Sequence, residues 1–115
     1  MKEIKVNNFI WIDLCKPRYS EIKNIGNRFN LHPVVVEDFS APTLRPKAVE
    51  YENCLYLAIH IPVFDKAMKT TFPGEVDIAI TPEAVITSHD REVYSLTGLM
   101  NEIKNGKIKE KSSTN

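Results

Sequence analysis

Two adjacent acidic residues, Glu37 and Asp38, are the side chains of this sequence best suited to bind an ion. Hard cations such as Mg²⁺ take oxygen ligands, keep several of their waters and are held by one or two carboxylates. Neighbouring positions on a helix point about 100° apart, so the two carboxylates do not form one chelate. One of them can face a partner molecule while the other holds a water of the ion. The alternative is an acidic helix face that simply lies in water.

Other residue types that could do chemistry lack the necessary spacing. His32, His60 and His89 are far apart in the sequence, without the short spacings that make zinc sites recognisable. We expect His32 to cap a helix, His60 to lie in a strand next to Pro62 and His89 to lie in a loop at the end of a strand. Because no nucleophile elbow, glycine-rich phosphate loop or nucleophile with an evident base occurs, we expect that the chain is not an enzyme.

Two further charged residues have structural interpretations. Pro46 biases Arg45 towards extended geometry, which is typical of a rigid entry into a strand. The Arg45 guanidinium could also form a bidentate salt bridge with the carboxylate of Asp38 or Glu37. We favour such a structural role. Asp13 is expected to accept backbone N–H bonds at the end of a strand.

Composition limits the classes of function. The 115 residues fit one compact domain. With 15 basic and 15 acidic residues, the chain has no electrostatic footprint for nucleic acid or an anionic membrane. The two cysteines lie in or beside apolar runs and no secretory signal is evident, which favours reduced thiols in a cytoplasmic compartment. The longest hydrophobic run is shorter than the roughly 20 residues of a membrane helix, so we expect a soluble chain.

Hydrophobic periodicity predicts the elements that position the acidic pair. Residues 4–12 are rich in β-branched and aromatic side chains and are predicted to form one strand. A helical stripe then runs from Tyr19 to Phe29, and Asn30 is a plausible stop. Pro33 opens a second, short helix over residues 33–39 that carries Glu37 and Asp38.

The second half of the sequence predicts four strands and a helix. Residues 48–52 and 54–61 flank Asn53 like the arms of a hairpin, and the second arm is apolar on both faces. We therefore expect a central strand covered by helices and sharing one core with Trp11. Strands over residues 75–81 and 84–88 follow a polar loop at residues 65–70. Asp90 can cap the last helix, which ends near Asn105.

This order of elements predicts the α/β class, as an α+β-type sandwich. Its sheet is expected to be mixed and mostly antiparallel, with helices flanking it. Residues 1–106 would form the domain, and residues 107–115 a polar tail or truncated linker.

Four motifs and their spacing connect these elements to a known family. The motifs are Trp11-Ile12-Asp13-Leu14, Leu31-His32-Pro33, Glu37-Asp38 and Arg45-Pro46-Lys47. In their order and spacing, the sequence resembles the N-terminal cytoplasmic domain of the CorA family of Mg²⁺/Co²⁺ transporters. The resemblance extends over residues 11–89 and implies the α/β fold of that family's soluble domain.

The resemblance also implies a function. It places Glu37 and Asp38 where a regulatory Mg²⁺ or Co²⁺ bridges subunits, with a partner acid from a later helix of the neighbouring chain. That helix is not in this sequence, so the ion is expected to bind weakly or not at all.

The chain is then a regulatory and structural domain at the cytoplasmic face of the cell membrane, without the membrane pore. Its partners would be the other subunits of a homo-oligomer, a pentamer in the full-length family, and the missing stalk and transmembrane region. No nucleic acid partner is expected. The alternative is a stand-alone soluble binding module that kept the fold and lost transport.

Overall fold

A single six-stranded sheet and three helices make up the part of the chain that the computed structural model describes, residues 1–43, 45–90 and 94–105. The elements in chain order are β1 Lys2–Val6, β2 Phe9–Cys15, α1 Tyr19–Arg28, α2 Pro33–Ser40, β3 Lys47–Tyr51, β4 Cys54–Asp65, β5 Thr70–Ile80, β6 Ala84–His89 and α3 Tyr94–Lys104. The strand order is β1-β2-β6-β5-β4-β3. β2 and β6 pair in parallel and the other neighbours pair antiparallel. The predicted mixed, mostly antiparallel α/β fold is confirmed.

The N-terminal segment is a hairpin, so the prediction of one strand over residues 4–12 is wrong. Val6 pairs with Phe9, which leaves Asn7 and Asn8 as a two-residue turn. Asn7 has a φ of 51°, a left-handed conformation that asparagine adopts more readily than most residues. Two-residue hairpin turns favour this conformation. The turn adds β1 to the edge of the sheet.

The two faces of the sheet have separate cores. Helices α1 and α2 pack on one face, over side chains that include Ile12 and Tyr56. Helix α3 packs on the other face, where Met100 meets Trp11 and Ile4. Consecutive residues of a strand point to opposite faces, so Trp11 and its neighbour Ile12 belong to different cores. The expectation that Trp11 shares one core with β4 is therefore wrong.

Strand β4 is covered on one face by the elements that the structure describes. Tyr56 and Ala58 are fully buried under α1 and α2, whereas Leu55 and Ile59 on the opposite face are 38% and 37% exposed. The expectation of helices over both faces of β4 is thus wrong. The apolar side chains on the opposite face of β4 are not covered by α3, because α3 packs over β1, β2 and β6.

The hairpin of β4 and β5 is longer than predicted. The two strands stay paired from Leu55 with Ile80 to Asp65 with Thr70, through Pro62 opposite Pro73. Among the described strands, β4 and β5 pair only with each other in this outer part, so the missing N–H groups of the prolines interrupt no pairing with a third described strand. The predicted polar loop at residues 65–70 shrinks to a short turn.

Helix α1 ends and turns towards α2 as the sequence predicts. Asn30 has a φ of 54° and the Leu31 N–H donates to the Gly26 carbonyl at 2.8 Å. At the other end of the chain, the predicted helix start after Asp90 falls on residues 91–93, outside the described residues. The predicted tail, residues 107–115, also lies outside them.

The packing of α1 against α2 requires a glycine. A Cβ added at Gly26 would lie 2.6 Å from Cγ2 of Val36 on α2, closer than two carbon atoms can approach. The absence of a side chain at this position therefore sets how closely α2 lies beside α1.

We expect the Gly26→Ala substitution to destabilise the fold by about 1–3 kcal/mol, because overpacking outweighs the better helix propensity of alanine. Gly98 on α3 is the matched control, since a Cβ there meets nothing within 4 Å. Gly98→Ala should raise the free energy of unfolding by about 0.5–1 kcal/mol. Urea denaturation measures both changes, and equal effects of the two substitutions would contradict the packing described here.

Candidate cation-binding site

The start of α2 is fixed by the residues that the sequence suggested. Pro33 is in the first turn of the helix, and Nδ1 of His32 accepts a hydrogen bond from the Val34 N–H at 3.1 Å. The His32 ring also stacks on Tyr51, with ring centroids 4.9 Å apart. The prediction that His32 caps this helix is confirmed. Val35 and Phe39 are buried and set the rotation of the helix on the sheet.

This rotation sends Glu37 and Asp38 in different directions. Glu37 is exposed, whereas the Asp38 side chain is only 20% exposed. Oδ2 of Asp38 lies 3.0 Å from the Nζ of Lys47, in an ion pair. The two carboxylates therefore do not chelate one ion within this chain, as the helical period predicts. Of these two carboxylates, Glu37 is the one that is exposed to solvent.

The cation beside Asp38 is Lys47, so the expectation that Arg45 would hold this carboxylate is wrong. Lys47 is the first residue of β3 and pairs with Ala58, whose side chain is buried under the helices. Strand alternation therefore points Lys47 towards α2. Its Nζ lies 5.5 Å from the centroid of the Tyr56 ring. Arg45 precedes the strand and is exposed.

A second acidic group, missed by the sequence analysis, lies beneath α2. Asp77 is 5% exposed, and its Oδ1 accepts a hydrogen bond from the Tyr56 hydroxyl at 3.1 Å. Glu75, two residues earlier on the same face of β5, accepts the Thr43 N–H at 2.7 Å. The strand prediction for β5 rested on its apolar row. The signal for the acidic pair was the alternate row of the same strand, in which Glu75 and Asp77 precede the buried Ala79.

Glu75 and Asp77 share a proton. Burial, together with the neighbouring Glu75, raises the pKa of Asp77 to about 8. Burial opposes the ionisation of Glu75 too, but hydrogen bonds from Asp77 and Thr43 hold the pKa of Glu75 below its ordinary value. Near neutral pH, Asp77 is therefore protonated and donates to the ionised Glu75.

This acidic pair lines a small cavity but does not form a metal centre. The cavity has a volume of about 140 Å³, and Ser88 and Asp90 lie on its wall with Glu75 and Asp77. Across residues 1–43, 45–90 and 94–105, no three histidine, cysteine or acidic side chains converge on a point that could hold a metal ion. Glu75 and Asp77 instead hold a proton. The hydrogen bond from the Thr43 N–H to Glu75 attaches the segment around Thr43 to β5.

Asp13 belongs to a buried network on the opposite face of the sheet. Nε2 of His89 lies 2.9 Å from both carboxylate oxygens of Asp13, and the Thr87 hydroxyl donates to Oδ1 at 2.5 Å. The Trp11 indole N–H in turn donates to the Thr87 hydroxyl at 3.0 Å. Burial raises the pKa of Asp13, but these bonds outweigh it and hold the value below the ordinary range.

The Asp13 network has a structural role. Its donors, Thr87 and His89, are side chains of β6, which corrects the expectation of backbone N–H donors and the expectation that His89 lies in a loop. The four side chains are between 3% and 7% exposed, so they are not placed to meet a substrate. They tie β2 to its parallel neighbour β6.

Comparison with known proteins gives consistent matches. Residues 6–114 match the family model of the CorA-like Mg²⁺ transporter protein. The cobalt/magnesium transport protein CorA of Thermotoga maritima is 24% identical over 82 residues, which are 70% of this chain and 23% of that protein. The name of this relative describes a transport protein, which fits the expectation that the chain is not an enzyme.

Two solved structures share the fold. The soluble domain of CorA from Methanocaldococcus jannaschii has a TM-score of 0.70 and 18% identity, over 91% of this chain and 42% of that one. The complete CorA magnesium transporter of the same organism has a TM-score of 0.67 and 20% identity, over 93% of this chain and 33% of that one. The chain thus spans less than half the length of these proteins. None of the described helices is long and apolar enough to cross a membrane.

The proton shared by Glu75 and Asp77 predicts a pH dependence of stability. The folded chain keeps a proton on Asp77 up to about pH 8, whereas the unfolded chain releases it near its ordinary pKa of 3.8. The folded state therefore binds more protons in this window, and its stability falls as the pH rises through it. Asp77→Asn, which cannot ionise, should remove this part of the decline.

Urea unfolding midpoints, measured from about pH 5 to about pH 8, test this expectation. The exposed Asp90 supplies the control, since Asp90→Asn removes a carboxyl from the same cavity wall. Parallel pH profiles for the original chain and Asp77→Asn would show that Asp77 is ionised in the folded state throughout.

Proposed function

Because this chain belongs to the CorA-like Mg²⁺ transporter protein family, we propose that it is a regulatory and structural domain of a divalent-cation transporter. The family match over residues 6–114 is the observation that carries the proposal. In this proposal the domain lies at the cytoplasmic face of the cell membrane, and the conducting pore belongs to a different part of the transporter.

The ion in this proposal is Mg²⁺ or Co²⁺, and its site includes Glu37 and Asp38. Cobalt and magnesium appear in the name of the Thermotoga maritima relative. The exposed carboxylate of Glu37 supports the assignment, because hard cations prefer oxygen ligands and need only one or two carboxylates. Here the ion would be bound as a signal that the domain reads.

A partner subunit would complete the site. Glu37 and Asp38 point apart, so this chain supplies only half of a coordination shell. An acidic residue of a neighbouring subunit in a homo-oligomer, a pentamer in this proposal, would supply the other half. A cation between subunits neutralises carboxylates that would otherwise repel each other, so its loss loosens the assembly. The stalk and transmembrane region would transmit that change to the pore.

Titration of the chain with Mg²⁺ or Co²⁺ tests this proposal. Without the neighbour's acid we expect affinity in the millimolar range or weaker, since site charge and rigidity set the affinity for hard cations. Backbone amide shifts should centre on residues 36–39. They should disappear in Asp38→Asn and weaken in Glu37→Gln.

The control is Glu102→Gln, which neutralises an exposed acidic side chain on α3. It should leave the shifts around α2 unchanged. Ion-induced shifts centred elsewhere, or unaffected by Asp38→Asn, would reduce Glu37 and Asp38 to an acidic helix face.

A further inference from the structure

The carboxylate of Asp38 already has a cation beside it, which belongs to the protein. The Nζ of Lys47 lies 3.0 Å from Oδ2 of Asp38, and this oxygen has almost no contact with solvent. We propose that Lys47 is a built-in counter-ion that a divalent cation must displace to reach Asp38. This inference rests on the proposed role of Glu37 and Asp38 in ion binding, and it makes Lys47 the residue that sets the ion concentration at which the site fills.

Access to the site is sequential in this arrangement. Glu37 is exposed and needs no rearrangement to meet a hydrated ion. Oδ2 of Asp38 is covered, with the Lys47 ammonium against it. An ion would first meet Glu37, and it gains Asp38 only when the ammonium withdraws.

Lys47 is placed to withdraw. It is the first residue of β3, which lies at the edge of the sheet, and its side chain is 39% exposed. The lysine stem is flexible and its ammonium is strongly hydrated, so the charge can move into water. The backbone of β3 remains paired with β4 during this movement, because it is held by the strand ladder.

Electrostatics make the two occupants exclude each other. An ammonium and a divalent cation on the same carboxylate repel, and the repulsion is stronger beside the poorly solvated underside of α2 than in bulk water. The Lys47 side of the pair is 39% exposed, and ion pairs that solvent reaches are weak, so a divalent ion can replace the lysine. Removing the lysine charge should therefore tighten ion binding by about three- to tenfold.

The experiment compares Lys47→Gln with Lys66→Gln. Lys66 is an exposed lysine between β4 and β5, so both substitutions remove one positive charge. Titration with Mg²⁺ alone at low salt, followed by amide shifts of residues 36–39, should give an apparent Kd about three- to tenfold lower for Lys47→Gln. Lys66→Gln should match the original chain.

One further readout does not depend on this change in affinity, and one further variant separates charge from side-chain identity. The ε-methylene resonances of Lys47 should shift as Mg²⁺ is added to the original chain, because the side chain leaves Asp38. Lys47→Arg keeps the charge and should bind Mg²⁺ no more tightly than the original chain. It also guards against a general effect of altering β3.

The outcomes separate this inference from the proposed function. If Lys47→Gln and Lys66→Gln bind Mg²⁺ with equal affinity and the amide shifts still require Asp38, then Lys47 is not a counter-ion that Mg²⁺ displaces. The proposed ion site would remain supported in that case. Binding that appears only in Lys47→Gln supports the counter-ion. If neither the original chain nor Lys47→Gln shows Mg²⁺-dependent shifts at residues 36–39, both proposals fall.

Discussion

Three carboxyl groups under or beside one short helix impose the main electrostatic constraint on this fold. Asp38 comes from α2, while Glu75 and Asp77 come from β5 beneath it. Uncompensated charges in a poorly solvated space are costly, so each must be paired or lose its charge. The chain uses both solutions: Lys47 pairs with Asp38, and a proton neutralises Asp77, while the ionised Glu75 accepts the Thr43 N–H. Both arrangements reduce the uncompensated negative charge between α2 and the sheet.

The same constraint organises the segment between α2 and β3. Glu75 remains ionised and accepts the Thr43 N–H, which holds this segment against the middle of β5. At its far end, Lys47 holds β3 to α2 through Asp38. The connection that follows the acidic pair is therefore held at two points by carboxylates. A change in the partner of Asp38 would act directly on the edge strand β3.

Features of the fold with local signals could be predicted from the sequence. Asn30 ends α1 in a left-handed conformation, and His32 and Pro33 start α2, because capping depends on residues within one turn. The hairpin at Asn53 likewise follows from a short polar interruption between two strands. The hairpin at Asn7 carried a comparable signal that the sequence analysis did not use.

Features that depend on strand neighbours could not be predicted in this way. Trp11 and β4 lie in different cores because sheet order and face, rather than hydrophobicity, decide which side chains meet. The sequence places Glu75 and Asp77 on one face of β5, but it does not show that α2 covers this face and buries the two side chains. Arg45 and Lys47 are two residues apart, so strand alternation alone does not separate them, and only the start of β3 at Lys47 leaves Arg45 outside the strand.

The identity of the cation at position 47 fits its place at the edge of the sheet. An arginine there could grip Asp38 with a planar fork of two parallel hydrogen bonds, which gives a rigid and specific pair. A lysine ammonium is a single, strongly hydrated charge on a flexible stem, and it forms a weaker and more exchangeable contact. Asp38 is thus neutralised firmly enough to let α2 pack and loosely enough for another cation to compete. The contact that stabilises the helix in the absence of an ion is the one that ion binding would have to break.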